Sequence, residues 1–486
     1  MRLGITVFLT GLVITAFGII MLIPAVFDIF YGAKSAEAFF LTSGISVFFG
    51  LLAVASSYNY WVSLSIKEAF LTTSVVWIAT VFCSALPFYF WDSGMGFATA
   101  FFESMSGITS TGATALTHLD ELPRGILLWR AILQWIGGIG IVMIAIAILP
   151  ILSVGGMQIF QSESSDKLGE KAFPKLANVT EVIILIYISF TALCAICLYL
   201  AGMDMFDAVT HAMTCLSTGG FSNYDNSVGF FESATIEWIL IFFMILGALP
   251  FITYYYIVVG KRRKISRNAE IKSFFAVVLF FSLLLAFWAW DKGIFDNVAD
   301  AVRLSLFSVT AIITTTGYVA TDYASWGSFS LTLFFFISFL GGCSGSSAGG
   351  IKNFRIGILF LSVIKKLQQM LVPHGVFILR YNEKTIGEEI TESIVVFVTT
   401  FVLALIVVAL ALSFMGLDFM TALTGAAASL ANVGPGLGDI IGPTGTYAPL
   451  SDAAKWILAF CMMLGRLEFT TVIVLLIPLK SLLTPK

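Results

Sequence analysis

Long apolar runs and short polar connectors alternate along the chain from end to end. Apolar stretches at 3–27, 38–57, 69–90, 127–152, 180–201, 235–259, 273–290, 327–364, 392–415 and 453–478 reach or approach the ~20 residues an α-helix needs to cross the hydrocarbon core. After the first two, the pattern repeats four times as span, short moderately apolar helix, Gly-containing turn, span. The turns are Thr109-Ser110-Thr111-Gly112-Ala113, Leu216-Ser217-Thr218-Gly219-Gly220, Thr314-Thr315-Thr316-Gly317-Tyr318 and Ala431-Asn432-Val433-Gly434-Pro435. Their glycines recur at intervals of roughly 100 residues, too long for a solenoid and suited to duplicated membrane units. The pattern predicts an all-α polytopic membrane protein: two leading helices (1–66) and four span, pore-helix, span repeats (67–160, 161–260, 261–384 and 385–486), arranged pseudo-fourfold around one axis. The first span is expected to be a retained helix, because its apolar run is too long for a signal-peptide core and no small-residue cleavage site follows.

Four re-entrant turns in one chain can close a ring of backbone carbonyls that replaces the water shell of a permeating cation. Glycine is needed where a positive φ turns a carbonyl toward the axis, since a Cβ would clash there. The short helix before each turn would aim its partly negative C-terminus at the centre. Ser and Thr hydroxyls brace non-helical backbone, which survives at membrane depth only when buried or lining a polar cavity. An ion pore is therefore the leading reading.

Composition agrees. Of 486 residues 58% are hydrophobic and 11% charged, and the mean hydropathy is +0.97, outside the range of soluble domains. A net charge of -3 excludes a generally basic nucleic-acid surface. Basic residues concentrate in two connectors, Lys261, Arg262, Arg263, Lys264, Arg267 and Lys272, then Lys352, Arg355, Lys365, Lys366, Arg380 and Lys384, which the positive-inside rule places in the cytoplasm. The stretch 202–235 carries Asp204, Asp207, Asp225 and Glu232, and 416–454 carries Asp418, Asp439 and Asp452, with no Lys or Arg in either. The turns are expected to enter from the outer face beneath an acidic vestibule. Six cysteines in apolar or Gly-rich sequence imply neither a zinc site nor a disulfide framework.

The run Gly341-Gly342-Cys343-Ser344-Gly345-Ser346-Ser347-Ala348-Gly349-Gly350 interrupts the span 327–364. Each Gly costs a helix about 1 kcal/mol relative to Ala, so an unwound loop at membrane depth is expected there. Serine-protease chemistry at Ser344 or Ser346 would need a base within hydrogen-bond reach. His118, His211 and His374 all fall at other depths. Arg466 sits near the middle of the last span, where a charge must face water or a partner. Glu468, about 200° further round the helix, is a poor direct mate for it.

With Gln134-Trp135-Ile136-Gly137-Gly138-Ile139-Gly140, Leu216 to Phe221, the run 341–350, Asn432 to Gly438 and Gly465-Arg466-Leu467-Glu468, the chain resembles the Trk/Ktr/HKT superfamily of potassium transporters, most closely the bacterial Trk large-subunit branch. The resemblance implies filter glycines at Gly112, Gly219, Gly317 and Gly434, flanked by Ser110, Thr111, Ser217, Thr218, Thr315, Thr316, Asn432 and Val433. It implies a gate at Gly341, Gly342, Ser344, Gly345, Ser346, Gly349 and Gly350 beneath the filter, and a basic residue, Arg466, in the permeation path. In plant relatives Ser at the first filter glycine goes with sodium transport, so Gly112 favours potassium. Tyr318 and Pro435 make the turns unequal, and moderate selectivity is expected. The resemblance also implies potassium as the transported ion with no organic cofactor, a homodimer in the bacterial inner membrane, and a cytosolic nucleotide-binding regulatory subunit of the RCK type, for which the basic connectors are candidate docking surfaces. A non-enzymatic channel-like pore is the first expectation, and a symporter coupling potassium to protons or sodium the second.

Overall fold

The computed structural model describes residues 3–58, 66–92, 94–147, 172–260, 268–382, 384–467 and 469. The leading pair comprises α1 (Leu3–Ile20) with α2 (Leu22–Phe30), and α3 (Ser35–Ser57). Pro24 has no N–H to offer the Ile20 carbonyl, which interrupts the helix ladder near Met21, but Gly4–Phe30 remains one span. α1 packs on α3 at a crossing where Gly11 and Gly50 let the two backbones touch.

Four units follow. The first is α4 (Ile66–Trp91), α5 (Phe97–Ile108) and α6 (Arg124–Ala147). The second is α7 (Ala172–Leu200), α8 (Met205–Leu216), α9 (Ala234–Ala248) and α10 (Phe251–Val258). The third is α11 (Ala269–Asp291), α12 (Val298–Ile313), α13 (Ser328–Ile337) and α14 (Asn353–Leu371). The fourth is α15 (Glu388–Phe414), α16 (Phe419–Ala431) and α17 (Asp452–Leu467). Among the described residues, seven helical spans, α1 with α2 counting as one, are long and apolar enough to cross a membrane, or eight if the bent pair α9 and α10 counts as one span.

The short helices α5, α8, α12 and α16 hold 12, 12, 16 and 13 residues, about 18 to 24 Å, too short to cross. Three begin at an Asx cap: Asp204, Asn297 and Asp418 accept the Phe206, Ala299 and Thr421 N–H groups at 3.2, 3.0 and 3.0 Å. Each is buried at its C-terminal end, which fixes where its turn emerges.

Two of the apolar runs are broken, the first against expectation and the second as expected. The run 235–259 bends by 89° between α9 and α10, because Pro250 removes a backbone donor. The run 327–364 unwinds over the Gly/Ser segment between α13 and α14, as its glycine content predicts. A two-stranded hairpin, Arg380–Tyr381 with Lys384–Thr385, is the exception to the all-α expectation. It packs into a small second core with Phe70, Phe354, Ile358 and Ile394. In the basic connectors, 261–267 lies outside the described residues. Arg355 is buried over the Phe397 ring, 3.9 Å from its centroid, and Lys352 Nζ donates to the Ala348 carbonyl, so both brace the interior.

Candidate ion pathway

The four turns share one backbone conformation. Ser110, Thr218, Thr315 and Asn432 are left-handed, with φ of 50°, 51°, 56° and 54°. Two residues on, Gly112, Gly220, Gly317 and Gly434 have φ of 85°, 74°, 73° and 103°. The residue between, Thr111, Gly219, Thr316 or Val433, donates its N–H to a carbonyl five residues back, at Ser106, Thr214, Ala311 and Ala428, at 2.8 to 2.9 Å. The expected equivalence of Gly219 with Gly112, Gly317 and Gly434 is therefore off by one residue: Gly220 holds the glycine position, and Gly219 stands with Thr111, Thr316 and Val433. Ser217 correspondingly aligns with Thr109 and Thr314 before the left-handed residue.

The turns touch in a closed cycle. A Cβ on Gly112 would overlap the Gly219 carbonyl oxygen, one on Gly220 the Thr316 oxygen, one on Gly317 the Val433 oxygen, and one on Gly434 would press on the Thr111 oxygen. Each glycine thus lies against the carbonyl of the next unit, and the fourth returns to the first. A side chain at any of the four would force a carbonyl out of the ring.

The bracing differs by turn. In the first and third, Thr109 to Thr111 and Thr314 to Thr316 hydroxyl pairs stand at 2.7 and 2.8 Å. In the second, Gln134 Nε2 donates to the Gly219 carbonyl at 2.8 Å while its Oε1 accepts the Phe221 N–H at 3.0 Å. In the fourth, Asn432 Nδ2 donates to Thr111 Oγ1 and to the Met462 carbonyl, both at 2.9 Å. Outside the ring, Tyr447 donates its hydroxyl to the Gly434 carbonyl at 2.8 Å.

On the side reached by the residues that follow the glycines lies a cavity of about 190 Å³, lined by Gly112, Gly220, Gly317 and Gly434 together with Phe221 and Asp225. The acidic vestibule is thinner than expected. Among the acidic residues singled out by sequence, Asp225 alone lines this cavity, and its carboxylate accepts the His118 and Leu119 N–H groups at 3.1 and 3.2 Å. Asp204 and Asp418 are helix caps, and Asp207 accepts from Asn223 Nδ2 and the Tyr224 hydroxyl, both at 2.8 Å.

On the opposite side the Gly/Ser segment 338–352 lies against three of the turns. Gly349 donates its N–H to Thr315 Oγ1 at 2.6 Å, Gly350 to the Ala431 carbonyl at 2.8 Å, and Ser347 Oγ to the Leu216 carbonyl at 3.0 Å. The α9–α10 bend answers it: Cys343 N–H meets the Ala248 carbonyl at 2.9 Å and Phe251 N–H the Gly345 carbonyl at 3.0 Å. Backbone groups freed by one break are satisfied by the other, which permits both at membrane depth. Gly341, Gly345 and Gly350 take positive φ, while Gly342 and Gly349 sit where a Cβ would meet Ala348 and the Ala431 carbonyl. Ser344 N–H donates to Glu270 Oε1 at 2.6 Å. Ser346 Oγ donates to the Cys343 carbonyl at 2.6 Å, and His211 uses its two ring nitrogens on the Asp207 carbonyl and Ser222 Oγ, so His211 serves neither serine as a base.

Arg466 is buried and donates Nη1 to the Ser347 carbonyl at 2.8 Å, while its Nε and Nη2 have no hydrogen-bond partner among the described residues. Glu468 lies outside those residues. Sequence reasoning missed Gly220, the bend at Leu249-Pro250 and Glu270. The Pro was a readable signal for the bend, and a Glu at the head of an apolar run was one for Glu270.

Residues 35–482 match the TrkH family, described as a cation transport protein. The chain belongs to that family. It is 41% identical over 462 residues to the Trk system potassium uptake protein TrkI of Halomonas elongata, covering 95% of this chain and 93% of that one. It is 35% identical over 473 residues to the Trk system potassium uptake protein TrkH of Salmonella typhimurium, covering 97% of each. The crystal structure of the potassium transporter TrkH from Vibrio parahaemolyticus superposes with a TM-score of 0.91 at 31% identity, over 98% of this chain and 99% of that one. The family membership and the multi-pass helical fold read from the turn motifs both stand on these matches.

Proposed function

We propose that this TrkH-family protein takes up potassium across the bacterial inner membrane through the ring formed by the four turns. The observation that carries the reading is the closed cycle in which each glycine abuts the next unit's carbonyl. Such a ring offers oxygens at fixed spacing to a dehydrated cation, and the names of the relatives supply the ion. The residues assigned to it are Ser110, Thr111, Gly112, Thr218, Gly219, Gly220, Thr315, Thr316, Gly317, Asn432, Val433 and Gly434, with 67–160, 161–260, 261–384 and 385–486 as the four pore units.

The segment 341–350 is the gate in this reading. It occupies the inner side of the ring and holds the turns by hydrogen bonds that a small displacement would release. Arg466 fixes it through the Ser347 carbonyl and adds a positive charge that opposes cation passage. A homodimer and a cytosolic nucleotide-binding subunit of the RCK type complete the assembly, the subunit acting through the cytoplasmic connectors on the loop. Glu270 links that side to the gate: its carboxylate holds Ser344, and the adjacent Ala269 N–H donates to Asn382 Oδ1 at 2.5 Å in the hairpin turn.

Reversal potentials of the reconstituted chain, under opposed potassium and proton gradients, test the reading. A channel-like pore gives a reversal set by potassium alone. A reversal that follows the proton gradient would replace it with coupled symport.

A further inference from the structure

One ionic pair belongs to neither gate nor ring. Glu103, inside α5, and Arg130, inside α6, are both buried, with Arg130 Nε 2.8 Å from Glu103 Oε1. Arg130 Nη1 donates to the Ser222 carbonyl at 2.7 Å and Nη2 to Thr114 Oγ1 at 3.1 Å. Its guanidinium stands 4.1 Å from the centroid of the Phe221 ring and lines the outer cavity. Glu103 Oε2 accepts the Ala115 N–H at 2.8 Å, and the Thr114 hydroxyl also donates to this carboxylate. Thr114 and Ser222 occupy the same place in adjacent units, two residues beyond Gly112 and Gly220.

At that same position the other units are fastened without charge. Val319 N–H meets Ser227 Oγ at 3.2 Å, and its carbonyl accepts the Gly229 N–H at 3.0 Å. Gly436 N–H meets the Ile441 carbonyl at 2.7 Å within its own unit. The Thr114 carbonyl accepts the Tyr447 N–H at 2.9 Å, tying the first unit to the fourth. A bidentate guanidinium therefore bridges the first and second turns, and among the described residues it is an ionic brace found at this junction alone.

We propose that Arg130 and Glu103 are positioning residues for the ring: the pair fixes the spacing of the first and second turns, and so sets discrimination between cations of different radius. Glu103 has a second consequence. Arg130 places a full positive charge at the outer mouth, and the adjacent carboxylate cancels it for an approaching cation. Lys cannot replace Arg here, because one ammonium cannot serve Glu103, Ser222 and Thr114 in a planar fork.

This inference rests on the reading of the four turns as the filter, and the test separates the two. The full-length chain, purified and reconstituted in planar bilayers, is measured for potassium-to-sodium permeability ratio and for potassium current against ionic strength. Arg130→Lys is expected to lower the ratio several-fold. Glu103→Gln is expected to depress current at low ionic strength and recover it at high, because the bared charge is screened by salt. A brace needed only for folding gives neither signature in folded protein. Thr114→Val removes one end of the brace and keeps the buried pair, so it decides the matter if Arg130→Lys does not fold, with a smaller fall in ratio expected. Gly220→Ser is the control. If it shifts the ratio while the folded brace variants retain wild-type ratio and salt dependence, the brace proposal fails and the filter reading stands. If Gly220→Ser leaves the ratio unchanged as well, the filter reading fails and the proposal falls with it.

Discussion

The ring of turns and the Gly/Ser loop beneath it are both non-helical backbone at membrane depth, and they satisfy their polar groups in opposite ways. Each turn is closed by its own helix: the residue before the glycine bonds a carbonyl five positions back, and its left-handed predecessor one three positions back. The loop makes some bonds within itself but leans on distant elements: the α9–α10 bend, the ends of α8 and α16, Thr315, Glu270 and Arg466. A locally closed turn keeps its shape wherever its helix goes. A loop held by partners on several separate helices loses its shape when any of those helices moves. The first arrangement suits fixed coordination and the second suits a switch.

That contrast breaks most sharply at the ring glycines. Gly112→Ser and Gly220→Ser should each lower the potassium-to-sodium permeability ratio about tenfold, equivalent to about 1.4 kcal/mol of discrimination. Bi-ionic potentials measure it. A Gly112→Ser protein that folds, conducts and keeps its ratio removes the first turn from the filter.

Deleting Ser344 to Ser347 should raise basal flux and uncouple it from a cytosolic partner, because the bonds to Leu216, Phe251 and Glu270 go with the segment. Single-channel recording with and without the proposed regulatory subunit reads this out. An open probability that still follows the subunit as in the intact chain would return the loop to a packing role.

Arg466→Ala should raise rubidium uptake a few-fold in liposomes, normalised to folded protein, since it removes both the barrier charge and the bond to Ser347. Wild-type uptake in a well-folded variant contradicts the barrier. Loss of folding would mark Arg466 as a structural brace instead.

The smallest effect is expected at Asp418, the cap of α16. The Thr421 hydroxyl and N–H hold its carboxyl below the usual carboxylate range. A depressed folded value means the stabilisation is full above the ordinary carboxylate pKa and fades as pH falls through the lowered one. Asp418→Ala should cost about 1 kcal/mol at neutral pH. Thermal unfolding in detergent should show that difference shrinking toward acid pH, and a difference that is constant with pH would assign it to something other than the ionised cap.

Much of this was legible along the chain. The four-unit order follows from where apolar runs, short helices and glycines fall, and the unwound loop follows from five glycines in the ten residues 341–350. The second turn was legible in place and illegible in register. Gly219 and Gly220 are adjacent, and Ser-Thr-Gly matches the first turn one residue early. Choosing between them needs the carbonyl of Thr316 from another unit, against which Gly220 alone is pressed.

The sequence by itself determined the order of apolar runs and short helices, the repeated turns and the family, because hydropathy, helix caps and glycine content act within a few residues of where they are written. Tertiary structure decided which glycine faces which carbonyl, that the α9–α10 bend and the Gly/Ser loop complete each other, and that Arg130 ties Thr114 to Ser222. The contacts that cross from one unit to the next join residues some ninety positions apart or more, as in the separation of 92 positions from Arg130 to Ser222. Partners at such separations meet only through the packing of whole helices, which no local pattern specifies.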